Sequence, residues 1–288
     1  MDPLLNVHGL VKRYPGFALS AISFRLPPGY VMGLIGPNGA GKTTTLKTIL
    51  GLLRRDAGEI LIAGLDPQID GAAARARIGF VHDEPRFHRY LTLKHIARLI
   101  SRFYDDWDEP TFRRLADAFG LTLGKRFGAL SRGTRMKFAL SLALSHRASL
   151  IVLDEPTSGL DPVFRRELLD VLHEQMKDAQ ASVLFSTHIT ADLDRIADYV
   201  TLLQEGRVVF SETKDDILER WALVKGGLDL LTGSTNGLFR GMRRGPHGFE
   251  AITENVAAVR GKLGDAVLIE RPTLEDIVLL TSRGAADA

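Results

Sequence analysis

The sequence predicts an α/β fold with a partly parallel sheet, followed by a small α+β appendage. Apolar runs typical of buried strands alternate with segments of helical periodicity, and a glycine-rich loop joins the first such run to a helical segment. The runs lie at 30–35, 149–156 and 182–188. Near residue 212 the composition shifts toward Gly, Arg and polar residues. We therefore expect a core domain over 1–212 and an accessory domain over 213–288.

The remaining elements follow from local patterns. Residues 1–35 alternate with a period of two, which predicts short strands, and Pro-Pro-Gly at 27–29 predicts a turn. Pro162 is typical of the first turn of a helix, and Thr273 with Asp276 forms a capping pattern. The other predicted elements are helical segments at 45–55 and 162–178, a helical subdomain over about 84–147, strands at 58–64 and 266–272, a short helix at 190–198, a hairpin at 199–210 and a helix at 273–282.

Composition excludes several function classes. The 288 residues contain no Cys, which excludes a disulfide scaffold, a cysteine nucleophile and thiolate metal sites. The net charge of +2 is too balanced to indicate a nucleic-acid partner. No apolar run approaches the ~20 residues that a membrane span needs, and the N-terminal segment lacks the pattern of a signal peptide. We expect no direct membrane span and no nucleic acid.

Residues 36–43 read GPNGAGKT and match the phosphate-loop pattern G-x-x-x-x-G-K-[ST] in full. Its glycines, Gly36, Gly39 and Gly41, allow the backbone N–H groups to turn inward toward phosphate oxygens. The following helix directs the positive end of its dipole at the same point. Lys42 is expected to reach the β- and γ-phosphates, and Thr43 to offer its hydroxyl to Mg²⁺. The motif therefore predicts a site for a nucleotide with Mg²⁺. The alternative is a glycine-rich turn that matches by chance, but here the loop lies between a strand and a helix, as the motif requires. The complete cofactor-binding prediction adds neighbouring loop residues, namely Pro37, Asn38, Ala40 and Thr44.

Two acidic residues follow the second apolar run. Asp154 at the end of a predicted strand is suited to hold Mg²⁺, and Glu155 is placed to act as general base on the attacking water. Carboxylates at a strand end often only contact solvent. Together with the phosphate loop, they predict the second half of a nucleotide-hydrolysis site.

The ordered set of motifs over roughly 1–210 resembles the ATP-binding-cassette (ABC) family. The motifs are an aromatic residue before the loop, GPNGAGKT, LSRGT at 130–134, LIVLDEP, SGLD at 158–161 and FSTHI around His188. The resemblance implies a P-loop ATPase core with a helical signature subdomain. It also implies an ATP-hydrolysing subunit of a membrane transporter. The segment 213–288 looks like the extension of exporter-type cassettes of the ABC-2 kind, which favours an exporter.

The resemblance assigns roles to single residues. Tyr14 would stack on adenine, and His188 would hydrogen-bond the γ-phosphate. Ser131 and Gly133 would contact the γ-phosphate of ATP held by a second cassette, and Asp161 would bridge the two chains. The alternatives are an ordinary strand aromatic for Tyr14, an exposed or internally paired histidine for His188, and a helix cap for Ser131.

Two chains are needed because each carries one phosphate loop and one signature, and the resemblance places these on opposite chains of a working site. The expected partners are a second ABC subunit, identical or different, and a transmembrane permease subunit. The expected location is the cytoplasmic face of the membrane, with the chain held there through the permease. The transported substrate is not predicted, because in this family it is the permease that selects it.

Two positions depart from the family pattern. Asp83 stands where the family has Gln, and we expect it to keep a metal role while changing the coupling to the permease; the alternative is a solvated loop Asp. Arg132 and Thr134 replace Gly and Gln in the signature. Arg132 either places a cation near the partner's nucleotide or faces solvent, and the sequence leaves this open.

Aromatic residues are frequent at 80–107. We expect Phe103, Tyr104 and Trp107 in the core of the helical subdomain. For Phe87 and Tyr90 a groove that receives a permease helix and a core position remain about equally supported. An alternative function for the whole chain is a cytosolic ABC-type ATPase that acts as a switch on nucleic acid or ribosomes, although such proteins usually carry two cassettes or a long insertion. A regulatory binding module with little turnover is a third possibility, which Glu155 and His188 disfavour.

Overall fold

The computed structural model describes residues 2–178, 181–231, 235 and 237–283, with side chains omitted at 175–178, 282 and 283. These residues form two compact units. The first unit ends at Ser211, and the second begins at Glu212 and also takes in Ile189–Asp194. Among the described residues, no helix combines the length and the apolar character that crossing a membrane requires.

An antiparallel three-stranded sheet begins the first unit. Its strands are β1 (Leu5–Tyr14), β2 (Phe17–Leu26) and β4 (Ala57–Ile62), in the order β2-β1-β4. Alternate residues of β1 and β2 are buried, and this matches the period of two in the sequence. One face of the sheet therefore packs on the core while the other carries polar residues.

A six-stranded sheet forms the centre of the first unit, and its strand order is β5-β6-β7-β3-β8-β9. The strands are β3 (Val31–Ile35), β5 (Ile78–Val81), β6 (Leu150–Asp154), β7 (Ser182–Thr187), β8 (Tyr199–Gln204) and β9 (Arg207–Thr213). Neighbours pair in parallel from β5 to β8. Every residue of β3, β6 and β7 is buried, as expected for parallel strands covered on both faces. The predicted α/β fold class is confirmed.

The register of these strands brings three predicted motifs to one edge. Ile35 pairs with Thr187, and Asp154 pairs with Ser186, so β3, β6 and β7 end at the same level. The segments that follow β3, β6 and β7 are the phosphate loop, Glu155 and His188 respectively. The carboxyl edge of a parallel sheet is where such folds bind ligands.

Helices α1 (Lys42–Ile49), α2 (Gly71–Ala76) and α6 (Pro162–Asp178) accompany this core. Helix α7 (Thr190–Ile196) lies mostly in the segment Ile189–Asp194, which belongs to the second unit. Helix α6 begins at Pro162 as predicted. Helix α1 is shorter than its periodicity predicts. It ends at Ile49 because Gly51 adopts a left-handed φ of 68°, with Gly51 N donating to Thr48 O and Leu52 N donating back to Lys47 O.

The helical subdomain contains α3 (Leu93–Ile100), α4 (Glu109–Ala118) and α5 (Arg132–Ala143). Its core is a cluster of aromatic rings with centroid separations of 5.3–6.4 Å: Phe87, Phe112, Phe127 and Phe138. The predicted core position of Phe103 is wrong. Its side chain is 79% exposed, because it lies in the 3-10 turn Ser101–Phe103 after α3, in which no residue is buried. Tyr104 is half-buried and stacks on His146, and Trp107 is half-buried against Phe112.

The second unit is built on an antiparallel sheet of order β11-β12-β10-β13. Its elements are α8 (Lys214–Arg220), β10 (Ala222–Gly226), β11 (Gly241–Gly245), β12 (Gly248–Thr253), α9 (Val256–Leu263), β13 (Leu268–Glu270) and α10 (Leu274–Arg283). Its core contains Val224, Phe249, Ala251 and Val259. Thr273 and Asp276 cap α10 reciprocally, as their spacing predicts.

Candidate active site

The phosphate loop spans Gly36–Thr43 and joins β3 to α1. Lys42 Nζ donates hydrogen bonds to Gly36 O at 2.7 Å and Pro37 O at 3.3 Å, so its side chain folds back over the loop. The backbone at Gly36 passes so close to β8 that a Cβ there would lie 2.2 Å from Leu203 O. Only glycine fits at this position. Of the other predicted loop residues, Pro37, Asn38, Gly39 and Thr43 are exposed, Ala40 and Gly41 are buried, and Thr44 is intermediate.

Lys42 is a buried cation, with 7% of its side chain exposed. Burial lowers the pKa of Lys42, and the carboxylates of Glu155 and Asp154 act in the opposite direction. Glu155 Oε1 lies 3.7 Å from Lys42 Nζ. A negatively charged phosphate placed beside this ammonium would stabilise its charged form.

Asp154 ends β6 with its side chain buried. Its Oδ2 accepts a hydrogen bond from Thr43 Oγ1 at 3.4 Å, while Oδ1 is buried without a hydrogen-bond partner. Burial raises the pKa of Asp154, and His82 is the largest influence in the opposite direction. An orphaned buried carboxylate oxygen beside a threonine hydroxyl is the kind of hard donor set that suits Mg²⁺. The residues therefore fit the predicted metal, although no cluster of three His, Asp or Glu able to hold a metal by itself occurs among the described residues.

Glu155 and His188 contact each other at the ends of β6 and β7. His188 Nδ1 lies 2.7 Å from Glu155 Oε2, and Glu155 N donates to Ser186 O at 3.0 Å. Glu155 has a φ of 48°, a left-handed conformation that is uncommon for a residue with a side chain and that recurs at functional sites. The structure thus brings the three predicted catalytic residues, Lys42, Glu155 and His188, into one cluster.

Asp83 lies in the loop after β5, with its side chain about half exposed. It forms an ion-pair contact with His82, and its Oδ1 accepts from Glu84 N at 2.7 Å. Both Asp83 and His82 are close enough to Asp154 to influence its pKa, in opposite directions. His82 was not among the predicted site residues. Its only signal in the sequence is its place beside Asp83.

Tyr14 ends β1, and its ring is 40% exposed with Lys12 Nζ 5.5 Å from the ring centroid. Tyr14 pairs with Phe17 across the hairpin. The Phe17 ring faces the phosphate loop, where a Cβ on Gly41 would lie 3.0 Å from Phe17 Cζ. The hairpin therefore places the Phe17 ring beside the loop and the accessible Tyr14 ring on the neighbouring strand position, and Phe17 is a neighbour that the sequence interpretation missed.

The signature and SGLD residues lie at the N-termini of α5 and α6 and not at the phosphate loop. Ser131 caps α5 by accepting from Thr134 N at 3.2 Å, and Asp161 caps α6 by accepting from Phe164 N at 2.9 Å. Gly133 packs against Phe164. In the part of the chain that the structure describes, no hydrogen bond or ion pair joins Ser131, Gly133 or Asp161 to the phosphate loop. These residues are predicted for the same chemistry but are not brought to the Lys42 cluster of their own chain.

Fold and site together define a nucleotide-binding α/β protein of the phosphate-loop class. The sequence profile of the ABC transporter family matches residues 19–158. An ABC transporter ATP-binding protein of Bacillus subtilis, YdbJ, is 32% identical over 214 residues, which is 72% of this chain and 68% of the relative. A fluoroquinolone export ATP-binding protein of Mycobacterium tuberculosis is 32% identical, over 74% of this chain and 72% of its own.

A solved ATP-binding subunit of an ABC transporter superposes with a TM-score of 0.69 and 32% identity, over 75% of this chain and 92% of that subunit. The chain belongs to the ABC transporter family and is one of its ATP-binding subunits. The predicted family, ATPase activity and transport function are confirmed, and the comparisons give no support to a switch acting on nucleic acid or ribosomes.

Proposed function

We propose that this chain works as one of two cassettes that drive an export permease, with MgATP enclosed between the cassettes. The observation that carries this proposal is the contrast within one chain. Lys42, Glu155 and His188 converge at the sheet edge, whereas Ser131 and Gly133 do not reach them. A second cassette supplies the missing signature segment.

The side chains of the site divide the work of hydrolysis. Lys42 holds the β- and γ-phosphates, and Ser131 and Gly133 of the other chain cover the γ-phosphate. Glu155 accepts a proton from water as the water oxygen attacks the γ-phosphorus and the bond to the bridging oxygen breaks. His188 donates to the γ-phosphate and, through its Glu155 contact, keeps the base oriented.

Thr43, Asp83 and Asp154 are proposed to hold Mg²⁺. When bound, Mg²⁺ neutralises charge on the phosphate oxygens. The unpartnered Oδ1 of Asp154 supports this assignment. Because Asp83 carries a full negative charge where the family has an amide, the metal affinity of the site depends on it more strongly than it would on Gln.

The docking surface for a permease is proposed to be the groove beside the Asp83 loop. A cavity of about 530 Å³ is lined by Phe80, His82, Glu84, Pro85, Arg86, Phe87 and Ala139. Its apolar wall is suited to a short amphipathic helix, and its rim is charged. Phe87 lies in this lining and also contacts the aromatic core, so it serves both of the predicted positions. Tyr90, the other aromatic residue considered for this groove, is 64% exposed and is not among the lining residues.

Export rather than import is supported by the similarity to the fluoroquinolone export protein. We also propose that 1–212 is the nucleotide-binding domain, that 213–288 is an accessory domain, and that the chain lies at the cytoplasmic face of the membrane on its permease. The described residues include no membrane-crossing helix that would provide an attachment of their own.

Two assays test this function. Glu155→Gln is expected to lower kcat for MgATP hydrolysis by about 10²- to 10⁴-fold, while Glu59→Gln, an exposed glutamate on β4, leaves it unchanged. Purification of Glu155→Gln from native membranes with MgATP is expected to retain a multi-span protein that is lost without nucleotide. Hydrolysis by Glu155→Gln at the wild-type rate would exclude Glu155 as the base, and recovery of ribosomes or DNA instead would exclude the transporter role.

A further inference from the structure

The signature position at which this chain carries Arg132 instead of Gly connects two other loops of the same chain. Arg132 is the first residue of α5, and it lies between Ser131 and Gly133. Its Nη2 donates to Asp83 O at 3.5 Å. Its Nη1 lies over Gly159, close enough that a Cβ there would be 2.8 Å away. The guanidinium thus spans from the Asp83 loop to the SGLD segment.

Gly159 makes room for this side chain. Its φ of +67° is a conformation that favours glycine, and the space its Cβ would occupy is taken by Arg132. The SGLD segment ends at Asp161, which caps α6. A larger residue at 159 would displace the guanidinium as well as strain the backbone.

The electrostatics of the Asp83 loop also include Arg132. The contact of Arg132 Nη2 with Asp83 O places the guanidinium beside the acidic pair Asp83-Glu84. Arginine suits this position because its planar fork presents several donors at once, which lysine does not.

The sequence left two alternatives for Arg132, a cation near the partner's nucleotide or a side chain facing solvent, and neither describes this arrangement fully. Arg132 is exposed in the single chain, but its charged end contacts two loops of that chain. One of these loops carries Asp83, proposed for the chain's own Mg²⁺. The other is the SGLD segment, which together with Ser131 and Gly133 belongs to the surface proposed to meet the partner chain.

We propose that Arg132 is a positioning residue that couples the two ATP sites of the dimer. It ties the Asp83 loop, which responds to the chain's own nucleotide, to the signature and SGLD segments, which act on the partner's nucleotide. The inference rests on the proposed two-chain site. Ordering of the Asp83 loop by MgATP at one site favours the position of the signature and SGLD segments that closes the other site, so hydrolysis is cooperative in ATP.

The test measures the steepness of hydrolysis against MgATP concentration, together with MgATP affinity. For wild type a Hill coefficient approaching two is expected, the limit for two coupled sites. Arg132→Gln is expected to lower the Hill coefficient to about one and to reduce kcat. The dissociation constant for MgATP is expected to stay unchanged, because Lys42, Thr43 and the carboxylate of Asp83 are all left in place. Arg132→Lys keeps the charge but loses the fork, and is expected to behave like Arg132→Gln. Arg102→Gln, an exposed arginine in the 3-10 turn after α3, is the matched control and retains wild-type steepness.

Gly159→Ala is a second way to disrupt the position of the Arg132 guanidinium. It is expected to lower the Hill coefficient by displacing the guanidinium, and to have a smaller effect in an Arg132→Gln background, where no guanidinium remains to be displaced. Thermal unfolding confirms that each variant is folded. Wild-type steepness in Arg132→Gln, or effects of the two substitutions that add independently, overturns the inference.

The outcome is separable from that of the proposed function. If Glu155→Gln hydrolyses ATP at the wild-type rate, the proposed active site is wrong. If Glu155→Gln is inactive but Arg132→Gln keeps wild-type cooperativity, only the coupling role of Arg132 is wrong.

Discussion

His188 Nδ1 lies 2.7 Å from Glu155 Oε2, although 33 residues separate the two in the chain. The contact exists because β6 and β7 are adjacent parallel strands that end at the same level. Glu155 is also 3.7 Å from Lys42 Nζ, so the proposed base lies between a cation and an imidazole. In the proposed mechanism this arrangement holds the carboxylate in place to accept the proton of the attacking water.

Substitution of His188 tests the value of this contact. His188→Ala is expected to lower kcat by about 10²-fold, because the γ-phosphate loses a donor and Glu155 loses the group that orients it. MgATP affinity changes little, since Lys42 and the loop amides remain. Steady-state ATPase assays measure kcat, and equilibrium titration measures affinity. His173→Ala, an exposed histidine on α6, is the control. Full activity of His188→Ala would show that the contact has no catalytic value.

Tyr14 is expected to contribute to adenine binding. Tyr14→Ala removes a ring that would stack on the base, and stacking is worth about 1–3 kcal/mol, so the dissociation constant for MgATP rises by about 5- to 150-fold. Tyr14→Phe keeps the stack and the affinity. Tyr30→Ala removes a comparably exposed ring, which packs on Tyr199, and leaves the affinity of the folded protein unchanged. Calorimetric titration measures all three. Equal affinity of Tyr14→Ala and wild type argues for an ordinary strand aromatic.

Ser131 has a capping role in the structure and a phosphate-binding role in the proposal, and two substitutions separate them. Ser131→Ala loses the cap, so the free energy of unfolding falls by about 1 kcal/mol. Ser131→Asp keeps an acceptor for Thr134 N and retains this stability, but places a negative charge against the partner's γ-phosphate. Both variants are expected to lose ATPase activity. Activity in Ser131→Asp equal to wild type would leave capping as the only role of Ser131.

Asp83 is expected to affect Mg²⁺ dependence. Asp83→Asn removes a charge from the proposed metal site and raises the Mg²⁺ concentration for half-maximal hydrolysis by about tenfold. Asp106→Asn, an exposed aspartate in the helical subdomain, leaves the Mg²⁺ dependence unchanged. Magnesium titrations at fixed ATP provide the measurement. If Asp83→Asn retains wild-type metal dependence and turnover, Asp83 is a solvated loop residue.

Much of the fold follows from the sequence because its signals are local. Strands β3, β6 and β7 were predicted from apolar runs, since a strand covered on both faces needs apolar residues at every position. The phosphate loop was predicted because the motif lies between such a strand and a helix. The order of the strands in the sheet and the register of their pairing were not predicted, because local patterns do not encode which strands become neighbours.

What the sequence did not predict depends on contacts between distant segments. Leu99 and Phe103 are four residues apart, a spacing that indicates one apolar side of a helix but does not indicate whether that side is buried; both are exposed. The end of α1 depends on hydrogen bonds of its last turn, not on periodicity. Arg132 reaches Asp83 across 49 residues, and no motif at either position signals that contact.

The most direct test of the two-chain site is the mass of Glu155→Gln in solution, measured by sedimentation with and without MgATP. With hydrolysis blocked, MgATP is expected to convert the chain from monomer to dimer, and adding Ser131→Asp to the same chain is expected to prevent that conversion. If the chain pairs only with a different cassette, the dimer forms when that subunit, co-purified from native membranes, is supplied. A Glu155→Gln chain that binds MgATP yet pairs with no cassette under either condition would contradict the shared site.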